Sequence, residues 1–155
     1  MNHLFFYETK LGIIGFAENG KCITNVIFGK QFNKTQYEEK ETPLLQEAAK
    51  QLNEYLAKER ELFDLPYTAA GTPFQHSVWD ALKTIPYGQT CTYLDIAKQI
   101  GKPKACRAVG MANNKNPLPI LIPCHRVIGS SGKLVGYGGG TDIKEALLQL
   151  EKSNG

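Results

Sequence analysis

The sequence predicts an α/β (α+β) fold: a small N-terminal domain of antiparallel sheet plus helix, then a mostly helical C-terminal domain carrying a helix-turn-helix. Three observations carry this expectation. The first thirty residues are short runs of β-branched and aromatic residues broken by glycines and an Asn-Gly pair. Two helix starts bear a Thr-Pro signature, at Thr42–Pro43 and Thr72–Pro73. Two short helical patterns separated by a Gly-containing turn then follow between residues 92 and 114. A chain of 155 residues with 42% apolar content suits one ordinary domain or two small ones. The charged, loop-like stretch from Glu59 to Gly71 divides it into residues 1–68 and 69–155.

In the first half, "HLFFY", "LGIIGFA" and "CITNVIF" read as strands, and Asn19–Gly20 as a tight hairpin turn whose two residues tolerate positive φ. Thr42 caps the helix that follows, and Pro43 occupies the first position, where a missing N–H costs nothing. Leu44, Ala48, Leu52 and Leu56 recur at helical spacing, widened by Leu45, Ala49 and Tyr55.

The second half opens on "TPFQ", in which Thr72 caps and Gln75 reaches back to the Thr72 amide as a capping box. Phe74, Val78, Leu82 and Ile85 form the inward stripe, with Ala81 beside it, and "PYG" ends the helix. In "TYLDIAKQI", Tyr93, Ile96, Ala97 and Ile100 share a face; in "KACRAVGMANN", so do Ala105, Ala108, Val109 and Ala112. The opposite stripe of that second helix carries Lys104, Arg107, Met111 and Asn114, a basic and polar outer face that suits nucleic acid as well as plain solvent. "NPLP" turns the chain into a short strand "ILI", followed by "PCHRVIG", a turn at "SSGK" and the loop "GYGGG". Thr141 caps a last helix with Ile143, Leu147 and Leu150 facing inward.

No apolar run approaches the length of a membrane span, and the N-terminus lacks the pattern of a secretory signal, so an intracellular, cytoplasmic protein is expected. The four cysteines show no C-x-x-C and no Cys/His cluster of zinc type; reduced thiols and no metal are expected. Charge is divided unevenly. Residues 1–68 hold eight basic and ten acidic side chains, net −2; residues 69–155 hold ten and five, net +5. The basic half, which contains "PCHR", is the one suited to an anionic partner.

Cys124 and His125 stand side by side. A free thiol is only a few per cent ionised at neutral pH, so a nucleophilic cysteine needs a base, which His125 can supply directly or through a water. In an extended strand neighbours point to opposite faces, so direct contact requires a turn. A carboxylate behind the imidazole would fix its tautomer; spacing leaves Asp95, Asp142, Glu145 and Glu151 as candidates. The residues also admit a buried structural thiol in a helix-turn-helix DNA-binding regulator, or a cysteine hydrolase.

From "GTPFQHSVWDALKTIPYGQT" through "NPLPILIPCHRVIGSSGKLVGYGGG" the sequence closely resembles the O6-alkylguanine-DNA alkyltransferases, or methylated-DNA–protein-cysteine methyltransferases, over essentially all of residues 71–151. The resemblance implies a single-turnover DNA-repair protein that moves an alkyl group from O6-alkylguanine, and from O4-alkylthymine, to its own cysteine after minor-groove binding and base flipping. It implies double-stranded DNA as partner, a monomer, no cofactor and no membrane. By the same resemblance Cys124 is the acceptor, His125 its base and Glu151 the partner of that histidine. Asn116 ties the turn before the active-site segment, and Tyr93 neutralises the leaving guanine at N3. Arg107 fills the space of the flipped base. Lys104, Ala105, Ala108, Asn114 and Arg126 join Arg107 and Tyr93 as DNA contacts. Tyr137, Gly138, Val127 and Met111 form the base pocket, and Gly138, lacking a side chain, leaves room for larger alkyl groups. With only His3 and Cys22 available in the N-terminal region, the zinc site of some relatives is not expected.

Overall fold

The computed structural model describes residues 2–29, 36–129 and 140–152. The chain divides into two compact units, Met1–Ala70 and Gly71–Gly155.

The first unit is a four-stranded sheet of order β3-β2-β1-β4, with β1 at Asn2–Thr9, β2 at Gly12–Glu18, β3 at Ile23–Phe28 and β4 at Tyr37–Glu39. The first three strands pair antiparallel, whereas β4 pairs parallel to β1, so the sheet is mixed and not wholly antiparallel. The chain leaves β3 at one edge and re-enters at the other, which a tight hairpin cannot do. Gly15 lies opposite Phe6, and a Cβ there would stand 2.7 Å from the Phe6 ring, so the ring covers a position that only glycine can fill. At the β2–β3 turn only Gly20 takes positive φ. Asn19 acts through its side chain instead, its Oδ1 accepting from the Lys21 and Cys22 amides. Helix α1, Pro43–Leu56, packs on β1 and β2 with Leu45, Ala48, Leu52 and Tyr55 buried; Leu44 is only half-buried. Thr42 caps it as expected.

The second unit begins at Gly71, where any Cβ would fall 2.5 Å from the Trp79 ring. Helix α2, Pro73–Leu82, carries the complete Thr72–Gln75 capping box and buries Val78, Trp79, Ala81 and Leu82. Trp79, absent from the expected stripe, donates its indole N–H to the Ala112 carbonyl at 2.9 Å and so locks α2 to the helix-turn-helix. That motif is α3, Tyr93–Gln99, then a turn at Gly101 with φ 79°, then α4, Cys106–Asn114. Two-residue strands β5, Cys91–Thr92, and β6, Val127–Ile128, pair parallel. Helix α5, Thr141–Lys152, completes the described unit.

Three local expectations fail here. Helix α4 starts at Cys106, so Lys104 lies in the preceding turn, and Ala108 is exposed because only Val109, Ala112 and Asn113 face inward. Helix α5 already includes Thr141, and the Gly140 carbonyl accepts the Lys144 amide in the place of a cap residue. Its buried residues are Lys144, Leu147 and Glu151, while Ile143 and Leu150 are half-buried. The segment "ILI" is a turn, not a strand. The "SSGK" turn lies outside the described residues. Among those described, no helix is long and apolar enough to cross a membrane.

Candidate active site

The approach to Cys124 is built by backbone reversal. The Ile122 amide bonds back to the Leu118 carbonyl at 2.8 Å, which requires Ile120 to sit at φ 75°. A β-branched residue there is strained by about 1–2 kcal/mol and persists only under external restraint. Asn116 supplies that restraint: its Nδ2 donates to the Ile122 carbonyl at 2.9 Å and its Oδ1 accepts the Leu118 amide at 2.9 Å. Pro123 follows at φ −78°, ψ 64°, an inverse γ-turn that its ring favours, with the Cys124 amide on the Ile122 carbonyl at 2.7 Å. Cys124–Arg126 then close a single 3₁₀ turn. The turn needed to bring thiol and imidazole to one side is therefore present.

His125 is 0% exposed. Its Nε2 lies 2.8 Å from Glu151 Oε2, so the structure selects Glu151 among the four candidate carboxylates. Asp95 is consumed by the capping box of α3, accepting the Thr92 amide, and Asp142 and Glu145 are exposed. Glu151 is fully engaged. Its Oε1 accepts from Arg126 Nε at 2.9 Å and from the Gly88 amide at 3.2 Å, and its Oε2 also accepts from Arg126 Nη2 at 2.9 Å. A carboxylate with these donors is favoured in its charged form and can only accept, so the imidazole must donate through Nε2–H. Burial pushes the His125 pKa below its usual value; Glu151 opposes this, and Arg126 and Lys144 add to it. The ring is then neutral with its lone pair on Nδ1, and Nδ1 has no hydrogen-bond partner among the described residues.

Two further groups sense Cys124. Tyr93, half-buried at the start of α3, has its pKa raised by burial and then by the nearby Cys124 thiolate, so it remains a phenol donor. Lys144 is buried, its Nζ 6.0 Å from the Tyr93 ring centre; burial lowers its pKa and the Cys124 thiolate raises it. Cys124 is 3% exposed. Burial alone fits an inert thiol; electrostatic interaction with a phenol and an ammonium, next in sequence to a buried neutral imidazole, does not. Cys91, by contrast, has its pKa raised by burial and by Asp95.

Lys104, Arg107, Met111 and Asn114 are all exposed, as the outer stripe required; Ala108 is exposed beside them and Ala105 half-buried. Met111, 60% exposed, belongs to a cleft of about 210 Å³ between α4 and the start of α2, lined by Thr72, Phe74, Gln75, Ala108 and Lys115. It is therefore part of the outer surface and not a pocket wall beside the thiol. Arg126 is not an outward DNA contact either: it is 8% exposed, doubly bonded to Glu151, and its Nη1 donates to the Ile85 carbonyl at 2.7 Å. Val127 is buried, its backbone paired with Cys91 of β5. Tyr137 and Gly138 lie outside the described residues. Sequence reasoning missed Lys144, which reads as a surface lysine, and Asn113, whose buried Nδ2 reaches the Cys124 carbonyl at 3.4 Å.

Two family models match the chain: the 6-O-methylguanine DNA methyltransferase ribonuclease-like domain over residues 3–69, and the DNA binding domain of the same name over residues 73–153. The constitutive methylated-DNA–protein-cysteine methyltransferase of Bacillus subtilis is 48% identical, the match covering 98% of this chain and 96% of that protein. A methylated-DNA–protein-cysteine methyltransferase of Methanosarcina acetivorans is 49% identical over 95% of this chain and 96% of its own. The crystal structure of Mycobacterium tuberculosis OGT in complex with DNA superposes with a TM-score of 0.91 at 48% identity, over 97% of this chain and 93% of that one.

Proposed function

The chain belongs to the methylated-DNA–protein-cysteine methyltransferase family, and from that premise we propose that Cys124 is the acceptor, served by His125, Glu151, Tyr93 and Lys144. The protein is an O6-methylguanine-DNA methyltransferase that repairs alkylated DNA. The observation that carries the residue assignment is the buried His125–Glu151 contact of 2.8 Å, one residue from the only thiol with such neighbours among the described residues.

The chemistry follows from the charges. Nδ1 of His125 takes the Cys124 proton, directly or through one water, while Glu151 stabilises the imidazolium that forms. Lys144 offsets the negative charge on sulfur. The thiolate attacks the alkyl carbon; the carbon–O6 bond breaks with its electron pair going to guanine, and a thioether forms. Tyr93 offers its hydroxyl to guanine N3 as negative charge develops on the base. Guanine needs one proton to leave neutral, and the sulfur has released one, so no external acid is consumed. A thioether has no easy route back to thiol, which makes the protein single-turnover.

The alkyl carbon of a paired guanine lies inside the duplex, so the base must be extruded, at a few kcal/mol of unstacking. The exposed stripe of α4 suits the minor groove. Ala108 permits close approach, Lys104 and Asn114 meet phosphate and sugar, and Arg107 enters the stack in place of the base. Incubation with duplex containing O6-methylguanine, followed by intact-protein mass and peptide mapping, tests the assignment. A stoichiometric gain of one methylene on the Cys124 peptide is expected; an unmodified Cys124 after excess damaged duplex defeats it.

A further inference from the structure

Arg126 stands next to the relay without belonging to it. Its guanidinium grips both oxygens of Glu151 at 2.9 Å, its third nitrogen is fixed on the Ile85 carbonyl at 2.7 Å, and the Tyr87 ring lies 5.7 Å from its Cζ. Every described contact points inward. We infer that Arg126 is a positioning residue for alkyl transfer, holding the Glu151 carboxylate charged and in one orientation so that His125 keeps its proton on Nε2 and presents Nδ1 bare. This rests on the reading of Cys124 as acceptor given above.

The argument is one of allocation. Glu151 Oε2 serves two donors, His125 Nε2 and Arg126 Nη2. Were Glu151 to take a proton, it could donate to Nε2, the ring proton would move to Nδ1, and the bare lone pair that serves as base would be lost. The bidentate guanidinium makes that protonation unfavourable, because planar two-point pairing favours the ionised carboxylate. Arg126 also restrains the opposite failure. A carboxylate left alone with the imidazole would stabilise His125 as imidazolium at neutral pH, again filling Nδ1 before the thiol can use it. Either loss leaves a relay that works only at higher pH.

Other charges around the ring do not duplicate this role. Helix α5 contributes Glu151 and Lys144, and the turn itself Cys124 and Arg126. On α3, Tyr93 senses Cys124, and on β5 Cys91 faces Val127. On α2, His76 packs edge-on to Trp79, and Asp80 pairs with Lys83 at the surface. Among the hydrogen bonds described, Arg126 is the cation bonded to the carboxylate that orients the imidazole.

The test measures the pH dependence of methyl transfer to Cys124 from free O6-methylguanine base, which takes DNA binding out of the readout. In Arg126→Met the acid limb of the profile should move up by about one pH unit, a roughly tenfold loss near pH 6.5 that recovers in alkali. Arg126→Lys should move it the same way by less. In the wild-type protein, nitrogen NMR of His125 at pH 7 should find Nε2 protonated and Nδ1 bare, and the opposite tautomer overturns the inference even if Arg126→Met does not fold. The inference is overturned by an equal loss at every pH, by a loss confined to duplex substrate, or by a proton on Nδ1. If wild-type Cys124 is never methylated, the assignment of the acceptor fails instead.

Discussion

Nε2 of His125 and Oε2 of Glu151 meet at 2.8 Å, 26 residues apart in sequence, with both side chains sealed from solvent. In such a place removing the charge of one partner strands the others. Glu151→Gln replaces an acceptor of four hydrogen bonds by an amide whose NH₂ faces the Arg126 guanidinium. Transfer should slow by about 10²-fold or more, and the fold should lose about 3–5 kcal/mol, the cost of breaking a buried ion pair from one side. Single-turnover rates and denaturant midpoints check both; a rate within a few-fold of wild type would remove Glu151 from the relay.

Lys144 makes a separate electrostatic claim. Its ammonium is buried and coupled to Cys124, so it favours thiolate over thiol. Lys144→Met keeps the length and apolar stem and deletes the charge. The rate at neutral pH should fall about tenfold and rise again as pH approaches the thiol's own range, with duplex affinity unchanged. A loss of affinity without a change in the pH profile would make Lys144 a DNA contact.

Asn116 is predicted to govern geometry, not charge. Asn116→Ala leaves the Leu118 amide without its acceptor and withdraws one of two donors from the Ile122 carbonyl. A buried orphan of this kind costs about 1–3 kcal/mol. The strained Ile120 then has less to hold it, and Cys124, two residues past Ile122, should lose its alignment. Thermal melting should shift down, and transfer from free base should fall along with transfer from duplex.

What could be read from the sequence divides by the range of the interaction. Thr42 and the Thr72–Gln75 box were legible because cap and partner lie within three residues. Arg107, Met111 and Asn114 were legible as the outer stripe of α4 because periodicity sets which residues share a face, whereas Lys104 falls in the turn before the helix and Ala108 joins the exposed side. "ILI" was not, since three apolar residues carry no period and their turn is imposed by the Asn116 side chain. Arg126 was misread because a guanidinium looks the same in sequence whether it meets a phosphate or Glu151. Lys144 and Glu151 sit at i and i+7 on the buried side of α5, where an apolar rule looks for leucines. Polar burial around a site breaks that rule for a functional reason.

Arg107 separates binding from chemistry. It is exposed on α4, outside the cluster around Cys124. Arg107→Ala should therefore transfer poorly from duplex, where a flipped base leaves a gap, and nearly normally from free base. Equal loss on both substrates would end its role as the inserted side chain.

The last prediction concerns stability. His125 is buried and neutral, with a folded-state pKa below the ordinary 6.5. Above that value neither state binds a proton and the folded form keeps its full stability. As pH falls below 6.5 the unfolded chain takes up a proton that the folded ring still refuses, so stability declines until pH reaches the depressed folded value. The melting midpoint should accordingly drop between pH 7.5 and 5.5. His125→Gln, which does not titrate, should flatten that slope. If His125→Gln melts with the same pH dependence as wild type, the buried imidazole is not what the acid limb of stability reports.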